Sequence, residues 1–277
     1  EQLDEALKDC DLLIGGVSSF GVEWFGKEVL PRIPKSLPVL SITKGMHADE
    51  NGNFVPFPDY LASKPGCEGL SLNAVGGPCI SFELADRHHT FVAFCGHDTK
   101  KLKEIKSLLK TDYYHINVTD DVAGLETAVA MKNAYALGVS LAIGLTEAKN
   151  GIGCPEEYNP EAALFAQSVK ETVSLLKIAG GRDSAVLYNA GDLYVTVFGG
   201  RTRKIGTLLG RGMTYAEARE ELKGVTLESV AITQVVVEAL KKSGKDLSEF
   251  PLLCHIYGMI TKGITVNIPW ESFVKED

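Results

Sequence analysis

One stretch limits the architecture of this chain more than any other: Asp121 to Glu147, DVAGLETAVAMKNAYALGVSLAIGLTE. Ala, Leu, Met and Val dominate it and no proline interrupts it. It therefore reads as one long helix, apolar on nearly every side, of the kind found inside a large protein or a membrane. Glu126, Lys132 and Glu147 are costly in lipid, and the glycines at 124, 138 and 144 suit close helix or cofactor packing, so a core helix is the better reading than a membrane span. Lys132 and Asn133 sit near its centre. A lysine held among apolar neighbours loses hydration of its charged form, the condition that suits an ammonium to proton transfer near neutrality. Alternatively, Lys132 snorkels to the surface and Asn133 satisfies a neighbouring carbonyl; this stretch alone leaves both open.

At 277 residues the chain fits two domains, and 45% hydrophobic with 23% charged residues is the balance of a soluble globular protein. A net charge of −8 disfavours nucleic acid as a partner, which needs a basic surface, while small anions remain open because a few local cations decide their binding. The six cysteines, at 10, 67, 79, 95, 154 and 254, show no CxxC spacing. They suggest buried thiols in a reducing compartment, and a cytoplasmic location is expected; no secretory leader is recognisable at Glu1. His88 and His89 are adjacent and point apart on a strand or helix, so no metal is expected.

Glu1 to Asp9 reads as an amphipathic helix. Asp11 to Val17 is a short apolar run expected of a parallel strand covered on both faces, and residues 21 to 30 have helical spacing stopped by Pro31 and Pro34. Further strands are expected at Pro38 to Thr43, Leu70 to Val75, Thr90 to Cys95 and Tyr113 to Val118, with a lysine-rich helix over Asp98 to Lys110. Alternating strands and helices indicate an α/β doubly wound sheet, mostly parallel. Past residue 121 the strand signals stop. Asn159 and Pro160 read as cap and first position of a helix to Ile178, Thr214 and Glu217 as a capping box closed by Gly224, and 227 to 242 and 251 to 262 as further helices. The expected division is 1–121 for the sheet domain and 122–277 for an all-α domain.

In open α/β sheets, ligands sit outside the carboxyl ends of the strands, where Lys44 and the Gly76-Gly77-Pro78 turn fall. A solvated loop lysine and a plain turn are the structural alternatives. Asp192 follows a glycine and precedes an apolar run, where an uncompensated carboxylate is costly; Lys132 is its expected partner. Gly199 and Gly200 precede Arg201, Thr202, Arg203 and Lys204, a set of backbone amides, guanidinium forks and a hydroxyl that suits an anion, or else a basic surface loop.

Taken in order, SITKGM at 41 to 46, GGPCISFELA at 76 to 85, LETAVAMKNAYALG at 125 to 138, GDLYVTVFGGRTRK at 191 to 204 and LKGVTLES at 222 to 229 give the chain a specific likeness. It resembles the NAD(P)-dependent glycerol-3-phosphate dehydrogenase family almost from end to end. The resemblance implies a Rossmann domain, a helical substrate domain, NAD or NADP as cofactor, and interconversion of dihydroxyacetone phosphate and sn-glycerol 3-phosphate. By position it implies that Lys132 donates and accepts the proton, Lys44 lies beside the substrate, and Asp192 holds the catalytic lysine. Asn133, Thr196, Arg201, Thr202, Gly77 and Cys79 would line the substrate site; Ser18, Ser81, Arg201 and Lys223 would face the cofactor. A homodimer is carried as an expectation for which no motif in the sequence speaks.

The chain departs from the family in several places. The G-x-G-x-x-G turn that grips the pyrophosphate does not occur in it and is expected upstream of Glu1. Thr202 stands for the usual Asn, Lys223 for the usual Glu or Gln, and Pro160-Glu161 for a small hydroxyl residue and a cation, a loss expected to weaken phosphate binding. Two rival readings are a related two-domain hydroxy-acid or keto-acid dehydrogenase and a non-catalytic dinucleotide-binding protein. The hydroxy-acid group spaces its helix-borne lysine and asparagine about one turn apart; here they are adjacent, about 100° apart around the axis, which favours the glycerophosphate reading.

Overall fold

The structure, a computed structural model, describes residues 2–274. Five strands form one sheet: β1 (Leu13–Gly15), β2 (Val39–Ser41), β5 (Leu72–Gly76), β6 (Thr90–Cys95) and β7 (Tyr114–Thr119), in spatial order β1-β2-β5-β6-β7. A separate hairpin pairs β3 (Met46–Ala48) with β4 (Phe54–Pro56). The helices in the first part of the chain are α1 (Leu3–Ala6), α2 (Val22–Trp24, continued by a π turn to Val29), α3 (Phe57–Ala62), α4 (Ser81–Ala85) and α5 (Thr99–Leu109). After the sheet come α6 (Val122–Asn150), α7 (Tyr158–Ala179), α8 (Val186–Val197), α9 (Gly200–Gly210), α10 (Tyr215–Glu221), α11 (Glu228–Lys242) and α12 (Pro251–Lys262).

The alternation of apolar runs with helical spacing produces the expected Rossmann-type α/β sheet with one local difference. The β1-β2, β2-β5 and β6-β7 pairs are parallel, whereas β5 and β6 run antiparallel. A parallel return needs a long crossover, and only the short α4 separates those two strands. Coverage on both faces fails at β1, whose Ile14 is 49% exposed because the strand lies at the edge of the sheet. The first helix is shorter than its pattern: Asp9 takes φ 57°, which no helix tolerates, and Glu1 lies outside the described residues.

The apolar helix α6 is the axis of the second half. It is long and apolar enough to cross a membrane, yet 83% of its most hydrophobic window is buried against the protein's own helices. Asp121 caps it, accepting from the Gly124 amide at 2.9 Å. Its small residues set the spacing to α9: a Cβ on Gly206 would sit 2.5 Å from the Leu137 carbonyl oxygen, and one on Gly144 2.2 Å from that of Thr207. No side chain fits there, so α9 lies against α6 backbone to backbone. At the other face a Cβ on Gly76 would meet Val129 at 2.8 Å, so the end of β5 also closes on α6.

Helix α7 begins at Tyr158 with Glu157 at the cap, so Asn159 is not the cap and Pro160 is the third helical residue. Proline is tolerated there because amides of the first turn have no helical acceptor. The Thr214–Glu217 capping box forms as expected.

Candidate active site

Three elements converge below the carboxyl ends of β1 and β2. Helix α6 supplies Lys132 and Asn133, α8 supplies Asp192 and Thr196, and the segment after β2 supplies Lys44. Asn189, Asp192 and Thr196 fall at i, i+3 and i+7 of α8 and therefore share one face. Asn189 is fully buried and donates to the Ala128 carbonyl of α6 at 2.6 Å, which fixes that face over the turn carrying Lys132. Gly191 has no side chain, and a Cβ there would meet Pro78 at 3.1 Å; the Gly77-Pro78 turn can thus approach α8 beside Asp192.

The result is one carboxylate between two ammonium groups. Lys132 Nζ donates to Asp192 Oδ1 at 2.9 Å and to Thr196 Oγ1 at 3.3 Å, and Thr196 Oγ1 in turn donates to the Asp192 carbonyl at 2.6 Å. Lys44 Nζ donates to Asp192 Oδ2 and, at 3.0 Å, to the Gly77 carbonyl. The Asp192 side chain is 1% exposed and the two lysines 17% and 18%. Burial pulls Lys44 below its ordinary value, with the positive charge of Lys132 pushing the same way and Asp192 opposing. The trio carries a net charge of one positive unit in a desolvated place, where it acts strongly on any developing anion.

A cavity of about 380 Å³ opens over this trio. Gly16, Val17, Ile42 and Thr43 at the strand ends form one wall, Lys44, Lys132, Asn133 and Thr196 the floor, and Gly200, Arg201 and Thr202 at the start of α9 the rim. The side-chain predictions Lys132, Asn133, Lys44, Thr196, Arg201 and Thr202 are therefore brought together. Gly77 lies under Lys44; its φ of +118°, which residues with a side chain rarely adopt, favours glycine, and a Cβ there would be crowded at 3.2 Å from the Phe91 carbonyl oxygen. Partial burial pushes the Cys79 thiol up, with the nearby Lys44 charge opposing, although the residue carries exposed surface.

Other predicted residues stand apart. Ser18 lines an adjoining outer cavity with Phe20, Arg219 and residues 224–227. Lys223, at the edge of that region, is exposed and paired with Glu220 at 3.0 Å. Ser81 is exposed at the head of α4 and lines none of these cavities. Glu161 does not face the Arg201–Thr202 rim either; it lies near Glu156 and Arg203, so its substitution for a cation does not strip charge from the floor of the cavity. Sequence reasoning missed Asn189 and Glu228. Asn189 was detectable as the residue three before Asp192 on the same helical face. Glu228 falls inside the LKGVTLES segment, but nothing in that segment assigns it a role; only the tertiary fold brings it to the cavity wall.

A Rossmann-type sheet packed on a helical domain, with paired lysines and a carboxylate at the junction, defines a two-domain nicotinamide-dependent dehydrogenase. The sequence profile of the NAD-dependent glycerol-3-phosphate dehydrogenase C-terminus matches residues 121–271. The NADP(+)-dependent glycerol-3-phosphate dehydrogenase of Archaeoglobus fulgidus is 30% identical over 269 residues, 96% of this chain and 78% of that protein. A glycerol-3-phosphate dehydrogenase of Mycobacterium tuberculosis is 26% identical over 276 residues, 98% of this chain and 76% of its own. The fold is shared with the crystal structure of glycerol-3-phosphate dehydrogenase from Coxiella burnetii, at a TM-score of 0.81 and 21% identity over 98% of this chain and 78% of that one. The chain belongs to the NAD-dependent glycerol-3-phosphate dehydrogenase family.

Proposed function

We propose that this protein interconverts dihydroxyacetone phosphate and sn-glycerol 3-phosphate, with NAD or NADP as the hydride carrier. The observation that carries the reading is the single carboxylate of Asp192 holding both Lys132 and Lys44 beneath a cavity rimmed by Arg201 and Thr202. The cavity lies where open α/β sheets bind nucleotides, and its volume is in the range of small-ligand sites. Gly16, Val17, Ile42 and Thr43 at the strand ends would hold the nicotinamide end of the cofactor, with Arg201 at the rim and Ser18 and Lys223 toward the outer cavity. When bound, the cofactor supplies or receives the hydride at C2 of the substrate.

The chain's own residues handle charge and protons. Reduction of the C2 ketone leaves an alkoxide, which needs a proton and positive charge together. Lys132 Nζ gives its proton to that oxygen; Asp192 and Thr196 fix the direction in which the ammonium points. Lys44, hydrogen-bonded to the Gly77 carbonyl and Asp192, supplies the second positive charge without needing to move. Arg201 and Thr202 take the phosphate, the guanidinium as a two-pronged donor and the hydroxyl as a single one. In the reverse direction the deprotonated Lys132 takes the C2 hydroxyl proton.

The proposal divides the chain at residue 121: the sheet ends at Thr119, and every described regular element after it is helical. It also includes a homodimer and a cytoplasmic setting, the latter supported by six free thiols. The phosphate role is tested by Arg201→Ala. We expect a loss of about tenfold to a hundredfold in kcat/KM for dihydroxyacetone phosphate, from one two-pronged charge-assisted contact at the half-exposed rim, and little change for dihydroxyacetone itself. Equal losses on both ketones would contradict it.

A further inference from the structure

Glu228 lies at the meeting point of three elements. It is the first residue of α11, and it lines both the catalytic cavity and a second, largely apolar cavity of about 350 Å³ that shares Lys44 and Asn133 with it. Its Oε2 is 3.9 Å from Arg201 Nη2. Its Oε1 accepts from both the amide and the hydroxyl of Ser19, at 3.5 and 3.4 Å, in the turn that follows β1. One carboxylate therefore ties the sheet side of the crevice to the guanidinium that rims the cavity.

A carboxylate in that place works against an arriving anion. A phosphate on Arg201 and Thr202 draws on the guanidinium N–H donors that Glu228 also faces, so the two anions compete for one cation. Resting on the phosphate reading above, we propose that Glu228 is a positioning and specificity residue: it is the internal counter-ion of Arg201, which the phosphate of the substrate must displace. In the empty site it keeps Arg201 pointed across the crevice and holds Ser19. In the occupied site it is released from Arg201, which weakens phosphate affinity, raises the rate at which phosphorylated product leaves, and disfavours more highly charged ligands. The Arg201 and Glu228 side chains are 56% and 26% exposed, so solvent screens the pair and the competition is modest in size.

The test is a titration with inorganic phosphate, followed by calorimetry, of the wild type, Glu228→Gln, Arg201→Ala and the double variant, at low and at high ionic strength. We expect Glu228→Gln to bind phosphate roughly threefold to fivefold more tightly at low salt, with the gain fading as salt screens the site. In the Arg201→Ala background the same substitution should change nothing, because the competitor has lost the group it competes for. Steady-state kinetics should show KM for dihydroxyacetone phosphate falling by a similar factor with kcat unchanged or lower. Unchanged or weaker phosphate binding in Glu228→Gln would overturn the proposal, as would a gain that persists without Arg201, which would mark a general charge effect. If Arg201→Ala alone left phosphate affinity at the wild-type level, the phosphate site itself would be refuted and this inference with it.

Discussion

Replacing Asp192 by Asn probes the account at its most sensitive point. The carboxylate is 1% exposed and accepts from two ammonium groups, each less than a fifth exposed. Asparagine keeps the shape and one acceptor oxygen but removes the charge. Two ammonium-to-carboxylate hydrogen bonds become at best one bond from an ammonium to a neutral amide oxygen, a loss of about 2–3 kcal/mol at typical values. Two neighbouring cations are also left with no counter-charge, and breaking a buried pair costs about 3–5 kcal/mol. Lys44, already drawn down by burial and by Lys132, is drawn down further without that carboxylate, which eases its proton loss and limits the damage. We therefore expect Asp192→Asn to lose about 3 kcal/mol in urea unfolding near neutral pH. A base whose folded-state value lies below its unfolded one binds fewer protons when folded, so stability rises with pH through that window. In the variant Lys44 is depressed further, and the deficit relative to wild type should shrink as the pH climbs toward the ordinary lysine value of 10.5. Turnover should fall by about a hundredfold or more, since the ammonium is no longer aimed. A variant within about 0.5 kcal/mol of wild type, with a pH-independent difference and near-normal turnover, would refute the reasoning.

Two further perturbations address other parts of the structure. Glu126 is fully buried on α6 with neither carboxyl oxygen hydrogen-bonded, and burial pushes it up to about 8 from 4.5. The folded state then holds a proton that the unfolded state releases, so stability should decline between those two values as pH rises, by an amount on the order of 5 kcal/mol. Glu126→Gln should flatten most of that slope in pH-dependent unfolding, Glu171, raised to about 7, retaining a smaller part; an unchanged slope would contradict the assignment. Gly206→Ala places a methyl 2.5 Å from the Leu137 carbonyl oxygen, forcing α9 off α6. It should cost about 1–3 kcal/mol and raise KM more than it lowers kcat, because Arg201 and Thr202 move with the helix; normal kinetics would show the contact to be slack.

The sequence made much of this site legible, for reasons that differ by residue. Lys132 and Asp192 stood out because a charge amid apolar residues needs a partner, and the Lys132–Asp192 bond at 2.9 Å is that partnership. The α6 core and the capping box at Thr214 were readable because periodicity and caps are local. Lys44 was placed near the crevice but not on Asp192; that contact depends on Gly191 admitting the Gly77-Pro78 turn, a matter of packing between elements far apart in the chain. The β3-β4 hairpin and the start of α7 escaped for a local reason: three-residue strands carry too few positions to show a period, and Asn-Pro mimics a cap that Glu157 occupies. Glu228 had no signal at all, since nothing in LKGVTLES ties a glutamate to an arginine on another helix.

The central claim is that Lys132 passes the proton, and the loss of nicotinamide absorbance in the presence of dihydroxyacetone phosphate, compared between wild type and Lys132→Ala, tests it most directly. Asp192 remains paired with Lys44 in the variant, so the fold and phosphate binding should persist while the rate drops by about a thousandfold. A folded Lys132→Ala protein that reduces the ketone at close to the wild-type rate would contradict the account.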